Sequence, residues 1–157
     1  NEAKDGMDIA FYTINKENMK LYFAGAHNPL YLIREGTDIN EFEEIENVKT
    51  LKNDIYTLYD IKSDRQPISI FIKERPFDTK MIQLKENDLL YTFSDGYADQ
   101  LGGDKGRKFT SKRFKNLLIS NCEKTIKEQK LIIDNTLENW KNENEQIDDI
   151  LVIGVKI

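Results

Sequence analysis

Cysteine and histidine are almost absent from this sequence, and their scarcity excludes several kinds of site. The 157 residues contain one cysteine, Cys122, and one histidine, His27. A single cysteine cannot form an internal disulfide, which is typical of a protein in a reducing compartment such as the cytoplasm. One histidine cannot build a multi-histidine zinc site. We expect Cys122 to be a small buried hydrophobic residue, and we expect His27, in a His-Asn-Pro turn, to have a structural or orienting role.

Long apolar runs and an excess of positive charge are also missing. No stretch approaches the roughly 18–20 apolar residues of a membrane-spanning helix. The net charge is −5, and the lysines and arginines are scattered, which argues against a nucleic-acid partner. The length fits one domain, residues 1–157, with enough apolar residues for a core. The chain starts with Asn1 and has no signal peptide, so we expect it to be part of a longer protein.

Most of the sequence favours β-strands. Alternating or β-branched patterns predict eight of them, with the first three forming an antiparallel meander and 78–84 pairing with 89–94 as a hairpin. The predicted strands are 8–14, 19–24, 30–34, 55–61, 68–73, 78–84, 89–94 and 150–156. Residues 35–54 are acidic and carry few large apolar side chains, so we interpret them as a surface loop or insertion.

Helices are predicted late in the chain. Ser111 can cap a helix that carries Phe114, Leu117 and Leu118 on one face. A second helix is predicted over 123–141, with a stripe of Ile126, Ile133, Leu137 and Trp140. Residues 95–108 contain four glycines and many charges, which is typical of a mobile loop near a site. The fold class is therefore α+β, with mostly antiparallel strands covered by helices.

Two acidic points mark the ends of apolar strands. Asp95 follows the run 89–93, and the pair Asp148-Asp149 precedes the run 150–153. Carboxylates that converge at strand ends are usually compensated by a divalent cation, and Asp suits Mg²⁺ or Mn²⁺. Asp99 would face the same way as Asp95 if 95–99 turns helically. The alternative is that all three points are ordinary solvated turns.

Three segments resemble motifs of one protein family, in the family's order. Residues 23–34 contain an Ala-Gly-Ala-His-Asn-Pro turn between strands, residues 90–100 contain a strand followed by Ser-Asp-Gly, and residues 146–153 contain an Asp-Asp pair before a strand. The chain resembles the bacterial PPM-type metal-dependent protein phosphatases of the stage II sporulation E group. Residues 5–10 also fit the strand that follows the first helix of that group.

The resemblance implies a function and a set of ligands. The fold would be the PPM α/β-β/α sandwich, incomplete at the N-terminus. Two Mn²⁺ or Mg²⁺ ions would activate a water that hydrolyses phosphoserine or phosphothreonine on a protein. Asp95 and Asp148 match metal ligands of the family, and Asp99 matches a position that helps to hold a weaker third metal in some relatives. The implied substrate is a phosphorylated protein of the anti-anti-sigma type.

The implied setting is bacterial signalling in the cytoplasm, including the cytoplasmic part of a membrane-anchored sensor. An upstream sensory domain in the same polypeptide would control the phosphatase.

One departure from the family limits this interpretation. The first metal motif of the family, an Asp followed by a Gly-His-Gly-like turn, has no match in this sequence. We therefore expect the chain to be the C-terminal portion of a catalytic domain, with little or no activity alone and with a tendency to self-association through unpaired strand edges. Two alternatives remain open: a non-catalytic domain of the same fold that binds a phosphoprotein or transmits a signal, and a general α+β interaction module.

Overall fold

The computed structural model describes residues 6–37, 41–69 and 75–157. Within these ranges the chain forms ten strands and three helices. In chain order they are β1 Ile9–Asn15, β2 Lys20–Ala26, β3 Leu30–Glu35, β4 Val48–Lys52, β5 Tyr56–Ile61, β6 Lys80–Gln83, β7 Leu89–Phe93, α1 Gly96–Asp99, β8 Leu101–Gly102, β9 Arg107–Lys108, α2 Ser111–Ile119, α3 Ile126–Lys141 and β10 Val152–Lys156.

The strands form two main sheets that pack on each other. The smaller sheet has the order β1-β2-β6, and the larger has the order β10-β7-β3-β5-β4. All pairings within these sheets are antiparallel. Apolar residues from the facing sides make the core between them, and its buried members are Leu21, Phe23, Leu30, Leu32, Phe42, Tyr59, Ile61, Ile82, Leu84 and Leu90. This arrangement holds the central strands β3 and β7 inside the molecule.

A second core lies between the larger sheet and the helices. Phe114 of α2 is fully buried and contacts the rings of Tyr31, Phe93 and Tyr97. The stripe predicted for α3 faces this core, with Leu137 buried and the other three members packed against it. The layers are therefore a small sheet, a large sheet and a helical layer, which agrees with the predicted α+β class. No helix in the described ranges is long and apolar enough to cross a membrane.

The predicted connections between strands are wrong in two places. β1 and β2 do form a hairpin, but β3 leaves it and pairs with β5 and β7 in the other sheet. The expected hairpin of 78–84 with 89–94 is also not formed, because β6 pairs with β2 while β7 lies between β3 and β10. β3 and β7 are buried on both faces, and a strand of this kind belongs in the middle of a layered structure rather than in a local hairpin.

The segment 35–54 is not simply a surface insertion. β4 lies within it and forms the edge of the larger sheet. Phe42 is buried and its ring lies edge-on to that of Tyr59, with 4.7 Å between centroids. Phe42, the half-buried Ile45 and the pairing of β4 anchor a segment whose composition is otherwise that of a loop. Residues 38–40 of the segment lie outside the described residues.

Helix starts and the glycine-rich segment also differ from expectation. Thr110 rather than Ser111 caps α2, and its side chain accepts a hydrogen bond from the backbone of Arg113. α3 begins three residues later than predicted, because Thr125 and Glu128 form a capping box. The loop expected over 95–108 instead contains α1 and the small hairpin β8-β9. Of the strand predicted at 68–73, Ile68 forms an isolated bridge with Met7, and 70–73 lie outside the described residues.

Candidate metal centre

Asp95 and the pair Asp148-Asp149 lie at the same end of two neighbouring strands of the larger sheet, a region called the acidic edge. β7 and β10 are antiparallel, with Phe93 opposite Val152. Asp95 therefore follows the end of β7 at the edge where Asp148 and Asp149 lead into β10. The expectation that the two strand ends are neighbours is met by this register. It follows from strand pairing alone, because the last residues of one antiparallel strand face the first residues of its partner.

Ser94 ties the two acidic segments together. Its backbone N–H donates to the Leu151 carbonyl at 3.0 Å, and its Oγ donates to the Asp149 carbonyl at 2.7 Å. The same Oγ accepts from the backbone N–H of Leu151 at 2.9 Å. The sequence pattern alone did not indicate this positioning role of Ser94. The available signal was a small hydroxyl residue directly between a buried strand and a candidate ligand.

Gly96 allows the close approach of the two segments. A methyl group built on its Cα would overlap the carbonyl oxygen of Asp149 and lie 3.0 Å from the carbonyl carbon. Gly96 is not among the glycines with positive φ, so it is needed for space and not for a sharp turn. The absence of a side chain brings the backbone of Asp149 against the first residue of α1.

α1 fixes the position of Asp95 relative to Asp99. Asp95 is the N-cap of this single turn, and its carbonyl accepts from the backbone N–H of Asp99 at 3.0 Å. Both candidate ligands therefore belong to one helical turn, as the sequence analysis required for them to face the same way. Tyr97 anchors the turn from below, since its buried hydroxyl donates to the Ile133 carbonyl on α3 at 2.8 Å. Burial raises the pKa of the Tyr97 hydroxyl, so it stays a neutral donor.

Gln100 connects α1 to the segment that carries Asp148. It is fully buried, and its Nε2 donates to the carbonyls of Leu101 at 3.0 Å and Glu145 at 2.9 Å. The backbone carbonyl of Gln100 accepts a hydrogen bond from Trp140 Nε1 at 3.1 Å. Packing with Trp140 also explains the glycine-rich segment, because a methyl group on Gly102 would overlap the Trp140 carbonyl. Gly102 and Gly103 therefore serve contact with Trp140 of α3, rather than the loop mobility that the sequence suggested.

The three candidate carboxylates have different surroundings. Asp95 is exposed, and no hydrogen bond or ion pair engages its carboxylate within the described residues. Asp148 is exposed, and its Oδ1 accepts from the backbone N–H of Asp149 at 2.7 Å. Asp99 is ion-paired with Lys108, with 2.6 Å between Oδ2 and Nζ. No group of three or more His, Cys, Asp or Glu side chains in the described ranges is arranged to hold a metal ion.

The remaining candidates have structural surroundings. His27 has an exposed side chain and a positive φ of 59°, and its backbone N–H donates to the Asp64 carbonyl at 2.9 Å. It therefore shapes the turn that carries the chain from the smaller sheet to the larger one. Cys122 is buried, as predicted, and burial raises the pKa of its thiol to about 11. A thiol with this pKa is a poor nucleophile near neutral pH.

Comparison with known proteins places this geometry in a family. Residues 4–157 match the family model described as stage II sporulation protein E (SpoIIE). No curated protein matches the sequence significantly.

Solved structures show the same fold. The chain is similar to the SiaA-PP2C domain of Pseudomonas aeruginosa, with a TM-score of 0.74 and 23% identity over 96% of this chain and 51% of that one. It is also similar to the PP2C phosphatase domain of SpoIIE from Bacillus subtilis solved with a fragment of its regulatory domain, with a TM-score of 0.65 and 18% identity over 96% of this chain and 37% of that one. A manganese-presoaked structure of the same phosphatase domain gives a TM-score of 0.58 and 14% identity over 96% and 56%. The chain thus has the PP2C fold and spans about half the length of these structures or less.

Proposed function

The chain belongs to the SpoIIE family, and we propose that it supplies part of a metal-dependent centre that hydrolyses phosphoserine or phosphothreonine on a protein. The observation that supports this proposal is that Ser94 and Gly96, on either side of Asp95, both contact the backbone of Asp149, the residue after Asp148. Both features favour a fixed relation between the two carboxylates.

The carboxylates at this edge are the right kind of ligand for a hard divalent cation, but this chain supplies only part of the number that a metal site needs. Carboxylate oxygens are the ligands that Mn²⁺ and Mg²⁺ prefer, and Asp95 has no competing partner in the described ranges. We assign Asp95 and Asp148 as the ligands from this chain. When bound, a pair of such ions supplies an activated water and Lewis-acid stabilisation of the phosphoryl oxygens. Further ligands must come from other parts of the protein, which is consistent with the share of the related structures that the chain spans.

The other residues of the edge hold the ligands in position. Ser94 and Gly96 set the separation of the two segments, while Tyr97 and Gln100 fix α1 to α3 and to the segment before Asp148. Asp99 would be an additional, weaker ligand in this proposal. It would have to exchange its ion pair with Lys108 for a metal, which makes it the weakest of the three.

Substrate and setting are proposed from the family. The substrate would be a phosphorylated protein of the anti-anti-sigma type, acting in bacterial cytoplasmic signalling, and an upstream sensory domain of the same polypeptide would control the reaction. This chain alone would have little or no activity, because the first metal motif has no match in it. The exposed edges would also favour self-association.

The test is Mn²⁺-dependent hydrolysis of p-nitrophenyl phosphate by this chain and by a longer polypeptide of the same protein extended at the N-terminus. We expect activity only in the longer form. Asp95→Asn and Asp148→Asn in that form should lower kcat by at least about a hundredfold, since each removes a ligand charge. Asp104→Asn, at an aspartate outside α1 and outside the Asp148 segment, is the control.

Two other outcomes would contradict the proposal. Activity of this chain at the level of the longer form would show that the missing motif is dispensable. Absence of both activity and Mn²⁺ binding in the longer form would favour a non-catalytic phosphoprotein-binding or signal-transmitting domain. One observation favours this second function: no group of three or more His, Cys, Asp or Glu side chains within the described residues is arranged to hold a metal ion.

A further inference from the structure

A lysine-rich cleft lies on the helical side of the larger sheet, away from the acidic edge. It is formed by β4, β5 and α2, and its volume is about 220 Å³. Its lining residues are Lys49, Thr50, Leu51, Leu58, Asp60, Lys112 and Lys115. β5 lies two strands from β7, or about 10 Å across the sheet, so the cleft is separate from Asp95. Its size suits a small ion or a single functional group.

A buried carboxylate in the wall of the cleft has one oxygen without a donor. Asp60 is 1% exposed, and its Oδ2 accepts from Lys62 Nζ at 2.6 Å and also from Lys115 Nζ. Its Oδ1 is buried and has no hydrogen-bond partner among the described residues. An unpaired buried acceptor is costly and usually marks the place of a bound water or ligand. Any occupant of this cleft should therefore carry a donor for Oδ1.

The mouth of the cleft favours an anion. Lys49 and Lys112 are both exposed, and neither is ion-paired within the described ranges. Lys112 also lies in the first turn of α2, where the helix dipole adds positive potential. Lys62 and Lys115 already pair with the Asp60 carboxylate, so Lys49 and Lys112 add positive charge to the cleft that no carboxylate there balances. The cleft thus combines an excess of positive charge with one unpaired acceptor, and an anion that still carries a proton matches both features.

We propose that this cleft binds a protonated phosphate group, either as inorganic phosphate or as the phosphoryl group of a phosphorylated residue. Lys49 and Lys112 would donate to its ionised oxygens, and Asp60 Oδ1 would accept its O–H. Phosphate monoesters have a second pKa of about 6, so they keep this proton in mildly acidic solution. Sulfate carries no proton there, and its oxygens would face the Asp60 carboxylate without a hydrogen bond. This site does not depend on the metal centre of the proposed function.

Isothermal titration calorimetry at pH 6 in EDTA separates this site from the metal centre. Inorganic phosphate, phosphoserine and sulfate would be titrated into the chain. We expect phosphate to bind at least about tenfold more tightly than sulfate, the difference of one charge-assisted hydrogen bond. Binding of phosphoserine with the same lysine dependence would identify a phosphoryl group on a protein as the ligand, and binding of phosphate alone would identify the free ion. Equal affinity for sulfate, or no binding of either phosphate compound, would overturn the proposal.

Variants of the cleft give a second, independent test. Lys49→Gln together with Lys112→Gln should weaken phosphate binding by about tenfold or more, while Lys16→Gln together with Lys127→Gln, at exposed lysines elsewhere, should not change it. Asp60→Asn replaces the acceptor with a donor and should remove the preference for phosphate over sulfate. If Asp60→Asn fails to fold, the lysine pair still decides. Unchanged phosphate affinity in the cleft pair would contradict the assignment.

Discussion

The two faces of this molecule are built from the same residue types but are covered to different extents. On the helical side, α2 and α3 bury the rings of Tyr31, Tyr91 and Phe114 almost completely. On the outer face of the smaller sheet, Phe11 is 59% exposed, and Tyr22 and Met81 are also exposed. Aromatic content therefore does not decide burial. What decides it is whether a further layer packs on the sheet.

The burial patterns of individual strands show the same difference. β7 is buried at all five positions, whereas β1 alternates between half-buried and exposed positions. A strand covered on both faces carries a continuous apolar run, and a strand covered on one face alternates. The candidate ligand Asp95 directly follows β7, so the acidic edge is attached to the better-packed side of the molecule.

The largest expected effect separates the two faces directly. Phe114→Ala should lower the free energy of unfolding by about 3–5 kcal/mol, because it leaves a cavity among three other aromatic rings. Phe11→Ala removes the same atoms from an exposed position and should change stability by about 0.5 kcal/mol or less. Urea unfolding of both variants measures the contrast. Equal losses would mean that the outer face of the smaller sheet is covered in solution, and the comparison would fail.

A buried ion pair extends the comparison to the core between the sheets. Arg34 on β3 is 4% exposed and donates to Asp88 through Nε at 2.8 Å and through Nη2 at 2.5 Å. Its Nη1 lies 2.6 Å from a carboxylate oxygen of Glu41. Both carboxylates hold the charged form of the guanidinium and raise its pKa, although burial opposes this.

Arg34→Met should cost about 3 kcal/mol, because Asp88 is left buried and without its cation. Arg34→Lys keeps the charge but loses the two-point contact with Asp88, so we expect a smaller loss. Thermal unfolding at neutral pH measures both. A loss as large for lysine as for methionine would show that geometry rather than charge compensation is what matters, and a loss in neither would mean that the pair is replaceable by apolar packing.

The junction between β7 and β10 should show an intermediate effect. Ser94→Ala removes two hydrogen bonds to the Asp149 and Leu151 backbones, and should cost about 1–2 kcal/mol. The amide of Leu151 loses its acceptor, so its hydrogen exchange should quicken, while amides in α2 should change little. Ser120→Ala, at the exposed end of α2, is the matched control. Unchanged exchange at Leu151 would mean that Ser94 does not hold the two acidic segments together.

Local patterns in the sequence predicted the elements better than their partners. The stripe of α3 and the strand before Asp95 depend on periodicity within one segment, and both were found. The pairing of β3 with β7 depends on residues far apart in the chain, and no local pattern encodes it. β4 was missed for a related reason, since an edge strand with exposed lysines reads as a loop until a partner is known.

The candidate centre was predictable only as far as strand ends go. An Asp after an apolar run is visible in the sequence, and so is a pair of Asp before another. The contact of Gly96 with the Asp149 backbone and the shared hydroxyl of Ser94 arise from the antiparallel register of β7 and β10. Register is a property of the assembled sheet, so these positioning residues could not be distinguished from ordinary turn residues.

The smallest effect concerns Cys122, which lies under the helices on the covered side. Burial raises the pKa of its thiol to about 11 from an ordinary value of 9.0. At pH 8 the thiolate fraction should therefore be about a hundredfold lower in the folded chain than in the unfolded one, and only the thiolate reacts with alkylating reagents. Iodoacetamide labelling followed by mass spectrometry should therefore be at least about a hundredfold slower without urea than with it, because burial also blocks access to the sulfur. Because the unfolded chain carries the same thiol, it is its own control. Fast labelling of the folded chain would show that the helical layer opens readily. The helical face would then be covered in the average structure without being held more stably than the outer face of the smaller sheet.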